Sequence, residues 1–157
     1  MKIQLWAVGK SHELHVQNGV DMFTKRLQFY YTTEWKLIPS PKNAPSLSEE
    51  DLKKTEGEII LSSLQPADVL IALDEKGKMF SSPEIATLIQ NKANESAKTL
   101  VFLIGGAYGL SEAVLKRADV KWSLSKLVFP HQLVRLILAE QVYRACTIIR
   151  NEKYHHQ

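Results

Sequence analysis

A buried strand that opens directly onto glycines constrains this chain more than any other feature. The apolar run from Leu100 to Ile104 is followed at once by Gly105-Gly106-Ala107-Tyr108-Gly109-Leu110. In an open parallel sheet, ligands lie at the carboxyl ends of the strands, where glycines let the backbone approach closely. We therefore expect a ligand site at this strand end.

Apolar periodicity predicts strands and helices in alternation along the 157 residues. The expected strands are 2–8, 33–38, 68–73, 99–104 and one near 122–128, and the expected helices are 13–30, 48–64, one that opens at Ser82, 111–118 and 131–150. The polar segment 74–78 and the proline-rich segment 39–45 are predicted to be loops. This alternation favours an α/β fold, a mostly parallel sheet flanked by helices, in a single domain over residues 1–157.

The last predicted helix, 131–150, has almost no polar face. A helix that is apolar nearly all round needs cover on both sides, and a second copy of the chain is the simplest cover. The sequence therefore predicts a homodimer, with the central helix of a compact monomer as the alternative. Arg135 and Arg144 interrupt the apolar pattern and need partners or a role. Glu140 and Arg144 are spaced for an ordinary ion pair.

Composition excludes several classes of protein. The single cysteine, Cys146, rules out an internal disulfide and a cysteine zinc cluster, and we expect it to be buried and inert. No segment reaches the roughly 18 apolar residues of a membrane span, and the first residues lack the layout of a signal peptide. We expect a cytoplasmic protein without a metal. The net charge of +3 is compatible with a nucleic-acid partner but does not demonstrate one.

Familiar catalytic motifs are absent from the sequence. A dinucleotide-binding fingerprint would require glycine at Ile104, and a zinc-protease motif starting at His12 would require histidine at Val16. No Ser-His-Asp set, carboxylate pair or metal-ligand cluster stands out. The pattern favours chemistry in which a cofactor supplies the reactive group and the protein positions it.

Several motifs of the last third of the chain are specific when taken together. They are Ile104-Gly105-Gly106, Trp122-Ser123-Leu124-Ser125, Pro130-His131, Val134-Arg135, Glu140-Gln141-Val142-Tyr143-Arg144-Ala145 and Tyr154-His155. As a set they resemble the SPOUT class of methyltransferases, and within it the large-subunit ribosomal RNA pseudouridine N3-methyltransferases of the methyltransferase H family. The resemblance extends to the start of the chain and to Leu73-Asp74, so it covers essentially the whole sequence.

The resemblance implies a fold with a deep C-terminal trefoil knot, a homodimer, and S-adenosylmethionine as methyl donor. The implied substrate is N3 of a pseudouridine in large-subunit ribosomal RNA on the assembled ribosome. By motif position, the expected cofactor-binding residues are Leu73, Gly105, Leu124, Ser125, Lys126, Leu127, Val128 and Phe129.

By the same resemblance, the catalytic residues are expected to be Tyr154, His155 and Arg144. Tyr154 and His155 would hold or deprotonate the target base, and Arg144 would hold the tail or an RNA phosphate. His156 stands where the resemblance implies a basic residue such as arginine, which weakens a phosphate contact at this position. A basic rim facing the ribosome would consist of Lys2, Lys10, Lys25, Arg26, Lys36 and Lys42.

Two other interpretations of the sequence stay open. One is a non-catalytic ribosome-binding protein that retains the knotted fold. The other is a nucleotide-binding α/β protein of flavodoxin-like build.

Overall fold

The computed structural model describes residues 1–156, and these form an α/β fold around one parallel sheet. The strands are β1 (Lys2–Val8), β2 (Thr32–Ile38), β3 (Val69–Met79), β4 (Thr99–Ile104) and β5 (Val120–Ser123), in the order β2-β1-β4-β3-β5. The helices are α1 (Leu14–Leu27), α2 (Glu49–Ser63), α3 (Ser82–Asn94), α4 (Glu112–Arg117) and α5 (His131–Ile149), with a 3-10 turn at Ala44–Ser46. All four strand pairings are parallel, which confirms the predicted fold class.

Helices cover both faces of the sheet, and the alternation within β1 shows the two layers. Ile3 and Leu5 belong to the larger core, to which α1, α3 and α5 contribute. Trp6 and Val8 belong to the smaller core on the other face, to which α2 and α4 contribute. Because successive side chains of a strand point to opposite faces, strands covered on both faces are apolar throughout.

Helix α5 is buried on one side and partly exposed on the other within a single chain. It packs against α1 and α3, and Leu138 and Val142 are fully buried there. Leu133 and Ile137 stay only half-buried. Cys146 is buried as expected, and burial raises the pKa of its thiol to about 12. The half-exposed apolar side is the surface that the predicted second copy would cover.

Two boundaries of the sheet differ from the prediction. Residues 74–78 are not a separate loop, because β3 continues to Met79 with a shift in its register against β5 between Leu73 and Lys78. Conversely, β5 ends at Ser123 and not near 128. The polar residues 74–78 hid the continuation of β3. The apolar residues within 124–129 suggested a longer β5, although they lie in a loop.

Serine side chains cap the starts of three helices, with Ser111 on α4 in addition to the caps of α2 and α3. Ser48 accepts a hydrogen bond from the backbone N–H of Asp51, as the sequence predicted for α2. The cap of α3 is Ser81, one residue before the expected start. Ser81 and Glu84 form a reciprocal capping box, in which each side chain accepts a hydrogen bond from the other residue's backbone N–H.

We predict that Gly77→Ala destabilises the fold. A Cβ at Gly77 would lie 2.7 Å from the backbone carbonyl carbon and oxygen of Lys121, so β3 and β5 would have to separate locally. Overpacking of this kind costs about 1–3 kcal/mol. Urea unfolding should show a lower midpoint for Gly77→Ala, while Lys76→Ala at the exposed neighbouring position should leave it nearly unchanged. Equal midpoints for wild type and Gly77→Ala would contradict the close approach.

Candidate active site

The glycine loop, residues 105–110, lies at the carboxyl end of β4 and folds back on itself. Gly109 has a φ of +85°, and its N–H donates to the carbonyl of Gly106 at 3.1 Å. A Cβ at Gly105 would lie 2.9 Å from the side chain of Leu110. Glycine is therefore required for a turn this tight, and the loop presents backbone rather than side chains at the strand end.

The β5–α5 loop, residues 124–130, follows the neighbouring strand end. Ser123 donates its hydroxyl to the carbonyl of Ser125, and the hydroxyl of Ser125 accepts from the N–H of Leu127 at 3.0 Å. These bonds turn the chain out of the sheet. They leave two large apolar side chains uncovered, Leu127 at 71% and Val128 at 90% exposure. Leu124, Ser125 and Phe129 are partly buried, and Lys126 is exposed.

His131 links these two loops. Its Nε2 lies 2.7 Å from the carbonyl oxygen of Gly105, and because a carbonyl can only accept, Nε2 carries the proton. Burial lowers the pKa of His131, and nearby Arg135 lowers it further, while the bond to Gly105 opposes the shift. The first turn of α5 therefore holds the glycine loop through a neutral imidazole.

Leu73 completes this edge of the sheet. It lies where the regular part of β3 ends, is half-buried against the larger core, and pairs with Trp122 of β5. Since β3, β4 and β5 are parallel, their carboxyl ends meet at one edge. The structure thus places Gly105 directly after β4 and residues 124–129 directly after β5, and it places Leu73 within β3 at the register shift beside them.

Arg135 lies one turn after His131 and is fully buried. Its Nη1 donates to the carbonyl of Lys10 at 2.8 Å and to Nδ1 of His12 at 3.2 Å. Nε and Nη2 have no partner among the described residues. Burial lowers the pKa of Arg135. Through its bonds to Lys10 and His12, the guanidinium holds the β1–α1 connection in place. The sequence had predicted a partner for this charge, and the partners are a carbonyl and a histidine.

Glu56 is a buried carboxylate that the sequence analysis missed. Only 4% of its surface is exposed, and a Cβ at Gly106 would lie 2.7 Å from its Oε1. Ser40, in the proline-rich loop, donates its hydroxyl to Oε2 at 3.2 Å. Burial raises the pKa of Glu56, and the bond from Ser40 only partly opposes this. A detectable signal existed, because Glu56 lies midway between Leu52 and Ile60 in the buried stripe of α2.

The tail after α5 is folded onto the helix and is not frayed. Arg144 donates from Nε (2.9 Å) and Nη2 (2.5 Å) to Oε1 of Glu140, which confirms the expected ion pair. Tyr154 donates its hydroxyl to the same oxygen at 3.0 Å, and its ring lies 4.7 Å from the guanidinium carbon. Arg144 also donates from Nη1 to Nδ1 of His155 at 3.3 Å. We call Glu140, Arg144, Tyr154 and His155 the tail cluster.

The electrostatics of the tail cluster keep Arg144 charged and Tyr154 protonated. The hydrogen bond with Glu140 is the largest effect on Arg144 and raises its pKa. Burial, followed by the bond to Glu140, raises the pKa of Tyr154. The edge of Tyr154 also packs against Tyr143, with ring centroids 4.8 Å apart.

The structure brings the predicted residues together as two groups rather than one. His131 marks the cofactor-loop end of α5, whereas Glu140 and Arg144 lie about 13 and 20 Å further along the helix axis, by the rise of 1.5 Å per residue. The tail cluster of one chain is therefore remote from the loops of the same chain. No group of three or more metal-ligating side chains, and no helix able to cross a membrane, occurs within residues 1–156.

Similar proteins define the class to which this arrangement belongs. A crystal structure of a probable methyltransferase from Bordetella pertussis Tohama I covers 92% of this chain and 94% of its own, with a TM-score of 0.59 and 14% identity. A probable methylase family protein from Haemophilus influenzae gives a TM-score of 0.54 at 13% identity, covering 97% of this chain and 67% of its own. At such identities the likeness shows the fold alone, an α/β fold that this chain shares with both structures.

Sequence comparison narrows the class to a family. A family model described as "Predicted SPOUT methyltransferase" matches residues 1–155. The "Ribosomal RNA large subunit methyltransferase H" of Cytophaga hutchinsonii is 53% identical over 99% of this chain and 100% of its own length. The protein of the same name from Flavobacterium johnsoniae is 51% identical over the full length of both. The chain belongs to the SPOUT methyltransferase family, and its reaction requires a methyl donor.

We predict that Glu56→Gln stabilises the protein at neutral pH. The pKa of Glu56 is higher in the folded chain than in the unfolded chain, so the fold binds more protons between these two values and loses stability as the pH rises through them. A neutral amide avoids the cost of burying the charge and can still accept from Ser40.

Chemical denaturation at several pH values tests this prediction about Glu56. The advantage of Glu56→Gln over wild type should be full above the raised pKa and should shrink as the pH falls toward the ordinary glutamate value. Glu58→Gln, on the exposed side of the same helix, is the matched control and should show no such trend. A Glu56→Gln variant less stable than wild type at neutral pH would mean that the charge is needed in the fold.

Proposed function

We propose that this chain transfers a methyl group from S-adenosylmethionine to N3 of a pseudouridine in large-subunit ribosomal RNA, acting on the assembled ribosome in the cytoplasm. The observation that carries the proposal is the match to full-length relatives named for large-subunit ribosomal RNA methylation, at up to 53% identity. Because these alignments span both chains almost completely, we extend the proposal to residues 1–157 as a single catalytic domain with the family's knotted path.

The ends of β3, β4 and β5 fit a nucleoside-containing methyl donor. The glycine loop has no room for a side chain at Gly105, so backbone groups can approach an adenine edge. Leu127 and Val128 lack apolar cover within the chain, and with Leu73 they can provide the walls of a pocket. When bound, S-adenosylmethionine would supply a methyl group activated by sulfonium charge. Leu124, Ser125, Lys126 and Phe129 would complete the enclosure.

Methylation of N3 then needs orientation and loss of the N3 proton, since the donor already supplies the driving force. In this proposal Tyr154 and His155 hold the target base, and Arg144 holds both of them. The aromatic edge of Tyr143 against Tyr154 restricts the tail further. His156, the next residue along the chain, is exposed.

A second copy of the chain would bring the two groups of residues together. The separation of about 13 to 20 Å along α5 keeps one chain's tail cluster away from its own loops. A two-fold dimer through the half-exposed side of α5 would cover that apolar surface and place the tail of one subunit over the cofactor loops of the other. We therefore propose a homodimer in which each site is shared.

The ribosome, rather than free RNA, is the natural partner for a chain of this charge. With a net charge of +3 per chain, affinity for naked RNA should be modest and sensitive to salt. The six side chains proposed to form the basic rim are all exposed, which they must be to contact phosphates. They are Lys2, Lys10, Lys25, Arg26, Lys36 and Lys42.

We predict that the purified protein transfers label from methyl-labelled S-adenosylmethionine to ribosomes from a strain that lacks this methyl group. Mass analysis of the RNA should place one methyl group on N3 of a pseudouridine. Ribosomes that already carry the methyl group are the matched control and should accept none. If the unmethylated ribosomes bind the protein but gain no label, the chain is a non-catalytic ribosome-binding protein.

We predict that two inactive variants restore activity when they are refolded together. Gly105→Val should block the cofactor loop, and His155→Ala should remove a tail residue. Random pairing gives about half mixed dimers, each with one intact site, so about a quarter of wild-type activity should return. Each variant refolded alone is the control, and circular dichroism should confirm that both fold. Absence of recovery in verified mixed dimers would mean that each site lies within one chain.

A further inference from the structure

Glu140 accepts more hydrogen bonds than an ordinary helical ion pair requires. Its Oε1 accepts from Nε and Nη2 of Arg144 and from the hydroxyl of Tyr154. Its Oε2 accepts from the amide of Gln141 at 2.8 Å, and the amide oxygen of Gln141 accepts from the hydroxyl of Ser82 at 2.7 Å. The pair is also largely shielded, since the side chains of Arg144 and Glu140 are 24% and 19% exposed. Arg144 therefore has one defined orientation.

That orientation determines which nitrogen of His155 carries its proton. Arg144 directs Nη1 at Nδ1 of His155, and a guanidinium has donors only. Nδ1 must then be an acceptor without a proton, so the neutral ring carries its proton on Nε2. This Nε2 is buried and has no partner among the described residues. A buried N–H without an acceptor is costly, which favours an acceptor from beyond residues 1–156, and a bound substrate can supply one.

We propose that Glu140 and Arg144 form a positioning pair that fixes His155 as the Nε2–H tautomer, so that His155 donates a hydrogen bond to a carbonyl oxygen of the target base and does not remove its N3 proton. The inference rests on the proposed function and assigns the role of His155 within it. Glu140, which spacing alone had identified as half of an ion pair, becomes a positioning residue for the reaction.

The chemistry of the imide explains why a donor is useful at this place. When N3 loses its proton to water, the negative charge spreads onto the two flanking carbonyl oxygens. A hydrogen bond from Nε2–H to one of these oxygens stabilises that anion. The N3 lone pair then forms the bond to the methyl carbon while the carbon–sulfur bond of the donor breaks, and its electron pair stays on sulfur as a neutral thioether. His155 keeps its proton throughout.

The other members of the tail cluster are also poor acceptors for the N3 proton. Tyr154 already donates its hydroxyl to Glu140. Both oxygens of Glu140 are occupied by donors, and Arg144 has no lone pair to offer. The side chain that contacts His155 is thus a cation, Arg144, while the carboxylate of Glu140 is engaged by Arg144 and Tyr154. No member of the tail cluster is therefore suited to accept the N3 proton, and the proposal assigns that role to water.

The kinetic test compares two substitutions of His155. Glutamine can donate a hydrogen bond but cannot act as a base, and alanine can neither donate nor accept a proton. In His155→Gln, the amide N–H can occupy about the place of Nε2–H, so kcat should stay within a few-fold of wild type and the shape of its pH dependence should not change. His155→Ala should lower kcat about 100-fold, as expected for loss of one stabilising donor. His15→Gln, at an exposed histidine of α1, is the matched control. If His155→Gln is as inactive as His155→Ala, His155 is the base and the proposal is wrong.

A measurement without substrate separates this inference from the proposed function. Nitrogen-15 NMR of the imidazole in the full-length protein should show the Nε2–H tautomer of His155 at neutral pH. Glu140→Gln and Arg144→Gln should give a mixture of tautomers while the fold is retained, and Glu152→Gln is a control that leaves the tail cluster intact. An Nδ1–H tautomer in the wild-type protein would overturn the inference even if methylation occurs. A wild-type protein with the expected tautomer but no methylation would instead refute the proposed function.

Discussion

The burial of α5 is the constraint on which the arrangement of the site depends. A nineteen-residue helix with an apolar surface nearly all round can be stable only between other layers, and here it lies against α1 and α3. Its first turn holds the glycine loop through His131, its second holds the β1–α1 connection through Arg135, and its later turns carry Glu140 and Arg144. Because these residues share one helix, the strand-end loops and the tail cluster keep a fixed separation, and the proposed reaction, which uses both, would have to join two chains.

Hydrogen-bond donors, rather than acids and bases, dominate the polar groups around the site. His131 donates to a carbonyl, Arg135 has free guanidinium N–H groups, and Arg144 makes Nδ1 of His155 an acceptor, which leaves the proton on Nε2. A site with this character can stabilise an anion and orient it, but it has little capacity to take up a proton. Such a site suits a reaction in which the electrophile is already activated before it binds.

The sequence predicted the parts of the structure that follow from local periodicity. It did not predict the features that depend on contacts between residues far apart in the sequence. The parallel sheet, the cap at Ser48 and the burial of Cys146 could be predicted because they depend on local patterns. The extension of β3 could not, since the close approach of Gly77 to Lys121 is invisible in a segment that is otherwise polar. The helical spacing of Glu56 between Leu52 and Ile60 signals its burial, but its contacts with Ser40 and Gly106 could not be predicted, since these residues lie in loops far away in the sequence.

Stability alone does not account for the tail cluster. An ion pair one helical turn apart contributes about 0.3–0.5 kcal/mol. Ordering a long side chain such as that of Arg144 costs up to about 2 kcal/mol. The bonds to Tyr154 and Gln141 offset part of that cost, yet Nε2 of His155 stays buried without a partner among residues 1–156, which is unfavourable. An acceptor that arrives with the substrate, as we propose, would remove this cost.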